Sequence, residues 1–184
     1  FFDLMRLIMK SEPVRIMASA GQANNHLDEK YNGRTPDIWD NGYVIVDFES
    51  GSRAMLELCM FAEGSNYQEE ISVVGTECKV ECFVPGPSRF WPTHLGPAPT
   101  PKIIVSPREP KGPQVIDIPV DTKLLQAGDH NGSTYYQHQK FQQVVLGNQQ
   151  PEVTLKDGLI AVQMGMAAQE AASQSRIINF STSK

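Results

Sequence analysis

A succession of short strand-like segments, each closed by a tight turn, does most to limit what this chain can fold into. Tyr43 to Phe48 and Arg53 to Phe61 flank Glu49-Ser50-Gly51-Ser52. Glu70 to Val74 and Lys79 to Val84 flank Gly75-Thr76-Glu77-Cys78, and Lys102 to Ser106 and Val115 to Val120 flank a Pro-rich turn from Pro107 to Pro113. Hairpin turns force neighbouring strands to run antiparallel. The alternation Lys79-Val80-Glu81-Cys82-Phe83-Val84 is that of a half-buried strand. Met55 to Phe61 is apolar on both faces apart from Glu57, which predicts a central strand covered on both sides.

Helical patterns bracket these strands. In Phe1 to Lys10, Leu4, Leu7 and Ile8 share a face that Phe1, Met5 and Met9 continue. No N-cap residue precedes this helix, so the chain is expected to be the back part of a longer protein. Glu12-Pro13 ends it, and Val14 to Ala18 reads as a strand. Ser133 to Leu146 predicts a helix with Tyr136, Phe141, Val144 and Val145 inward, stopped by Gly147-Asn148. Thr154 with Asp157 predicts a variant capping box opening a helix over 155–174. Its Leu155, Leu159, Val162, Met166 and Ala167 are expected to face inward, and Arg176 to Phe180 reads as a last strand. The order defines an α+β fold: an open, mostly antiparallel β-sheet with helices packed on one face. The apolar strands imply that the other face is used for oligomerisation.

Composition excludes several function classes. The net charge of -5 leaves no basic stripe to neutralise phosphates, so no nucleic-acid partner is expected. No apolar run approaches the roughly 20 residues that span a bilayer, so no membrane partner is expected and the reading is cytoplasmic. Cys59, Cys78 and Cys82 read as buried reduced thiols, and no His/Cys/Asp spacing suits a metal.

Two loops and one excursion could carry chemistry. The stretch from Gly21 to Asn41 is long for a loop without function and holds Asn25, His26, Asp37 and Asp40. A solvated loop or turn role suffices for these, and Asp40 is also a substrate-binding candidate. Gly128-Asp129-His130-Asn131-Gly132-Ser133 leads into a helix that carries Tyr135, Tyr136 and His138. Asn131 or Ser133 is expected to cap that helix. His130 and Tyr136 offer the donors and acceptors that a hydroxyl-rich substrate needs. The Pro- and Gly-rich excursion from Pro85 to Pro101 carries Phe90, Trp91 and His94, as a surface aromatic cluster or a lid.

Four stretches resemble the C-terminal half of the Gfo/Idh/MocA family of NAD(P)-dependent oxidoreductases. They are Phe1-Phe2-Asp3-Leu4-Met5-Arg6, the segment from Asn41 to Gly51, Glu70-Ile71-Ser72-Val73-Val74-Gly75-Thr76, and Pro151-Glu152-Val153-Thr154-Leu155-Lys156-Asp157-Gly158. The resemblance implies that residues 1–184 are the substrate-binding and oligomerisation domain of a two-domain enzyme. It implies NAD or NADP, bound mainly by an N-terminal Rossmann domain, and hydride transfer to or from a sugar, inositol or related polyol. Asp3 matches the Asp of the family's His-x-x-Asp pattern, and so becomes the catalytic candidate. The alternatives are an NAD-dependent glycosidase of the same family, or a non-catalytic domain for oligomerisation. The chain has no Gly-x-Gly-x-x-Gly, so this segment by itself is expected to be inactive. A homo-oligomer through the sheet face is the expected protein partner.

Overall fold

The structure, a computed structural model, describes residues 1–180. The chain divides into two compact units, one of residues 1–62 and 152–184 and one of residues 63–151. The first contains α1 (Phe2–Met9), β1 (Pro13–Gly21), β2 (Asn41–Phe48) and β3 (Arg53–Cys59). The second contains β4 (Glu69–Val74), β5 (Cys78–Val84), β6 (Lys102–Pro107), β7 (Gln114–Asp117), α2 (Thr122–Ala127) and α3 (Ser133–Val145). The chain then returns to the first unit with α4 (Leu155–Gln174) and β8 (Ile178–Asn179). The fold is α+β, with its strands shared between two four-stranded sheets ordered β3-β2-β1-β8 and β4-β5-β6-β7. Every pairing is antiparallel.

The hydrophobic core lies in the first unit. Antiparallel register sets Ile16 opposite Val46 and Ala18 opposite Val44, so these side chains share one sheet face. Against it α4 lays Ile160, Met164, Ala167 and Ala168, while Phe2, Met5 and Met9 of α1 close one flank. Ile16 and Met164 are fully buried. Gly42 faces Ala20 so closely that an added Cβ would lie 2.8 Å from the Ala20 Cβ. That contact lets the two strands meet without a side chain between them.

The inward faces differ from the periodicity expectation. Leu155, Leu159, Val162 and Met166 are exposed, and of the five residues expected to face inward on α4 only Ala167 is buried. The helix carries two apolar stripes of identical spacing, and the slimmer one, with three alanines, sits on the sheet because small side chains let it approach. On α1, Leu7 and Phe1 are exposed, and Phe2 joins Met5 and Met9 against the core. On α3, Tyr136, Phe141 and Val145 are exposed within this chain. β3 is an edge strand rather than a central one, with Met55 62% exposed, because its far side has no strand partner among the described residues. Cys59 is exposed and Cys78 and Cys82 are half-buried, all three free thiols. The capping box is present: the Thr154 hydroxyl accepts from the Asp157 amide while the Asp157 carboxylate accepts from the Thr154 amide.

In the second unit, no residue of β4 to β7 is fully buried. Among its described residues, Pro85 and Gly132 are the buried ones. Among the described residues of the whole chain, no helix is long and apolar enough to cross a membrane.

Candidate functional site

The four sequence-predicted residues fall into separate polar centres. Asp3 and Asp40 lie in the first unit, His130 and Tyr136 in the second.

Asp3 stands in the first turn of α1, where a carboxylate suits the unpaired amides of a helix start. Arg6 follows one turn later and gathers three acids. Its Nε and one terminal nitrogen form a fork on Glu12 at 3.1 and 2.8 Å. The other terminal nitrogen donates to Asp157 at 3.2 Å and to Asp3 at 3.5 Å. The Arg6 side chain is 11% exposed, so one guanidinium ties the Asp3 helix to the N-terminus of α4. The Glu12 fork, and then Asp157, raise the pKa of Arg6 against the lowering effect of burial. Asp157 is lowered to about 2, first by the Thr154 hydroxyl and amide and then by Arg6.

Asp40 is fully buried at the end of the long loop. Burial alone would raise its pKa, but the amides of Asn25, Asn24 and Ala23 and the Asn41 side chain outweigh it and hold the carboxyl well below the usual range. Those bonds are 2.7 to 2.8 Å long. The carboxylate therefore wraps the loop around itself, and the Asn25 side chain adds a bond to the Met60 carbonyl. Asp37, its neighbour in sequence, is exposed. Further along, His26 faces Glu29 at 2.7 Å, and the Tyr31 hydroxyl donates to the other Glu29 oxygen at 2.9 Å. His26 first, then Tyr31, lowers the Glu29 pKa.

In the second unit, His130, Asn131 and Gly132 have φ of 63°, 52° and 86°, three successive left-handed residues. A side chain with a Cβ pays roughly 1–2 kcal/mol there, least for Asn. The cap of α3 is Gly132, with no side-chain bond, so neither Asn131 nor Ser133 caps the helix as expected. Asn131 instead donates to the Pro85 carbonyl at 3.0 Å. His130 is exposed, its Nδ1 3.4 Å from the Thr134 hydroxyl. Tyr136 meets Tyr135 edge-on, and its ring lies 3.7 Å from where a Gly132 Cβ would stand. Beside this turn Arg89 faces Asp129, with nitrogen–oxygen distances of 2.6 and 2.8 Å. Sequence reasoning missed both Arg6 and Arg89, because their shorter bonds go to partners 6 to 151 residues away.

A groove of about 590 Å³ in the first unit, lined by Met17, Ser19, Ser175 and Arg176 among others, holds none of the predicted site residues. Among the described residues no group of three or more His, Cys, Asp or Glu side chains could hold a metal.

This α+β arrangement has a known counterpart. Residues 1–180 match the family described as "Oxidoreductase family, C-terminal alpha/beta domain", and the chain belongs to that Gfo/Idh/MocA oxidoreductase family. None of the curated proteins matches it. Among solved structures, levoglucosan dehydrogenase in complex with NADH and levoglucosan superposes with a TM-score of 0.70 at 15% identity, over 98% of this chain and 48% of that one. Aldose-aldose oxidoreductase from Caulobacter crescentus, complexed with glycerol, gives 0.63 at 18% identity over 97% and 44%. An oxidoreductase from Agrobacterium radiobacter, in complex with NAD+, L-tartaric acid and magnesium, gives 0.63 at 16% over 97% and 46%. The chain thus spans less than half the length of each of these proteins.

Proposed function

We propose that this chain is the substrate-handling half of an NAD(P)-dependent oxidoreductase that acts on a sugar, an inositol or a related polyol. The observation that carries the reading is the family match over residues 1–180. The levoglucosan and glycerol named for two proteins of the same fold support the substrate class. The residues present do not suit the cofactor's diphosphate, since the sequence holds no Gly-x-Gly-x-x-Gly. Cofactor binding is therefore assigned to a Rossmann domain outside this chain, and the nicotinamide would there accept or give the hydride.

The chain's own part is to bind and orient the substrate. Polyol recognition needs short polar side chains fixed before the ligand arrives. His130, exposed on a left-handed turn, offers a ring nitrogen to a hydroxyl. Tyr136, four residues after the buried Gly132, offers a phenol. Asp3, 3.5 Å from Arg6 in the first unit, is the proposed catalytic carboxylate, and Asp40 acts by fixing the loop from 23 to 25 rather than by touching substrate. We assign the open face of the first sheet, with Tyr43, Ile45 and Met55 exposed, to a second copy of the chain.

The test is steady-state kinetics of the complete two-domain protein on a panel of sugars and inositols, following nicotinamide reduction. Loss of one substrate hydrogen bond in His130→Ala should lower kcat/KM by about tenfold. Unchanged constants would remove His130 from the site, and turnover of no polyol would overturn the substrate class.

A further inference from the structure

Four observations converge on one spot in the second unit. The excursion after β5 returns its Arg89 guanidinium to Asp129, the residue just before His130. Only the 2.8 Å contact has hydrogen-bond direction, so the second Asp129 oxygen is held at 2.6 Å by charge alone. The back of the same guanidinium lies 4.5 Å from the centre of the Phe90 ring, which stiffens the excursion around it. Asn131 reaches the start of the excursion at the Pro85 carbonyl. His130 therefore lies between the two contacts, Arg89 with Asp129 on one side and Asn131 with Pro85 on the other, and Pro85 and Gly132 are the buried residues among those described in this unit.

The turn from His130 to Gly132 has little support from its own helix: α3 carries no side-chain cap, and Thr134 meets His130 only at 3.4 Å. A left-handed run that the local sequence disfavours persists only when its surroundings hold it. Here the surroundings include the excursion, beside Leu124 of α2 and Tyr136 of α3. We infer that Arg89 is a positioning residue: through Asp129, and together with Asn131, it fixes the backbone that presents His130, so that the excursion from Pro85 to Leu95 decides which substrates reach that histidine. The inference rests on the proposed role of His130 for its consequence in catalysis, but the latch itself stands on geometry alone.

This assigns a task to residues that otherwise have none. The excursion is rich in proline and glycine, carries two single-turn 3₁₀ segments, Ser88–Phe90 and Thr93–Leu95, and pairs with no strand. The Trp91 indole nitrogen is shielded from solvent and finds no acceptor among the described residues. A charge-assisted hydrogen bond with a second charge contact beside it is well suited to such a segment, because it is stronger than a bond between neutral groups.

The test compares Arg89→Gln, Asp129→Asn and the exchanged pair Arg89→Asp with Asp129→Arg in the complete two-domain protein. Hydrogen–deuterium exchange is read in segments 88–95 and 129–133, and kcat and KM are read for the best polyol. Each single variant should speed exchange in both segments by about fivefold, the scale of one partly exposed ion pair. KM should rise with less change in kcat, and the exchanged pair should recover both readouts in part. Exchange in 129–133 that stays at the wild-type rate in both single variants would overturn the latch. Faster exchange in both segments with unchanged kinetic constants would keep the latch and overturn the substrate role of His130 instead.

Discussion

Replacing Arg6 by Met removes a charge and keeps the apolar stem, so it isolates what the guanidinium contributes. Three bonds count: 3.1 and 2.8 Å to Glu12 and 3.2 Å to Asp157. The 3.5 Å approach to Asp3 is at the limit and adds little. A shielded bond to a charged group is worth about 1.5–3 kcal/mol. The acids are 31 to 39% exposed, which screens them, so about 1 kcal/mol per bond is the better figure and the loss is about 3 kcal/mol. For a chain of this size that corresponds to a fall in melting temperature of about 6–12 °C. The pH dependence follows from Asp157, whose pKa falls from 3.8 to about 2 on folding. A depressed carboxylate contributes stability in full above its unfolded pKa and loses it as pH falls through the folded value. The share of the gap between wild type and Arg6→Met that the Asp157 bond carries should therefore be full at neutral pH and shrink as pH falls from 3.8 toward about 2. Thermal unfolding followed by circular dichroism across that range is the assay. No gap at neutral pH would show that Arg6 acts through its stem alone, and a gap of the same size at neutral and acidic pH would show that the charge of its carboxylate partners does not matter; either result would refute the network.

Two further outcomes follow from close contacts. Gly42→Ala must push the Ala20 Cβ away from 2.8 Å and should cost about 1–3 kcal/mol, whereas Gly165→Ala meets only the Phe2 ring at 3.6 Å and should gain about 0.5–1 kcal/mol by helix propensity. Opposite signs in chemical denaturation are the check. Asp40→Asn turns one of two acceptor oxygens into a donor facing backbone amides, so exchange at Ala23, Asn24 and Asn25 should accelerate while the α4 core stays protected. Because the folded pKa of Asp40 is lowered, wild-type protection there should survive down to pH values at which ordinary carboxylates are protonated.

The elements were legible because their signals are local. Thr154 and Asp157 lie three residues apart and make the capping box that the sequence spells out. The strand-like run from Tyr43 to Phe48 beside its hairpin turn and the alternating run from Lys79 to Val84 became β2 and β5. Orientation was not legible. On α4, Ile160, Met164, Ala167 and Ala171 recur at the same intervals as Leu155, Leu159, Val162 and Met166, so periodicity cannot choose between them. The six-residue α2 is too short to show a period. Of the site, polar character at His130 could be read from the sequence, but the Arg89 latch and the Asp40 anchor arise from contacts 15 to 40 residues apart.

The Asp40 anchor also bears on how such a loop can change over time. Three of its four bonds come from the peptide nitrogens of Ala23, Asn24 and Asn25, not from their side chains. Any residue except proline supplies that nitrogen. A lineage could therefore exchange the side chains at positions 23 and 24, altering what the loop touches, while a single buried carboxylate preserves the path on which they are displayed.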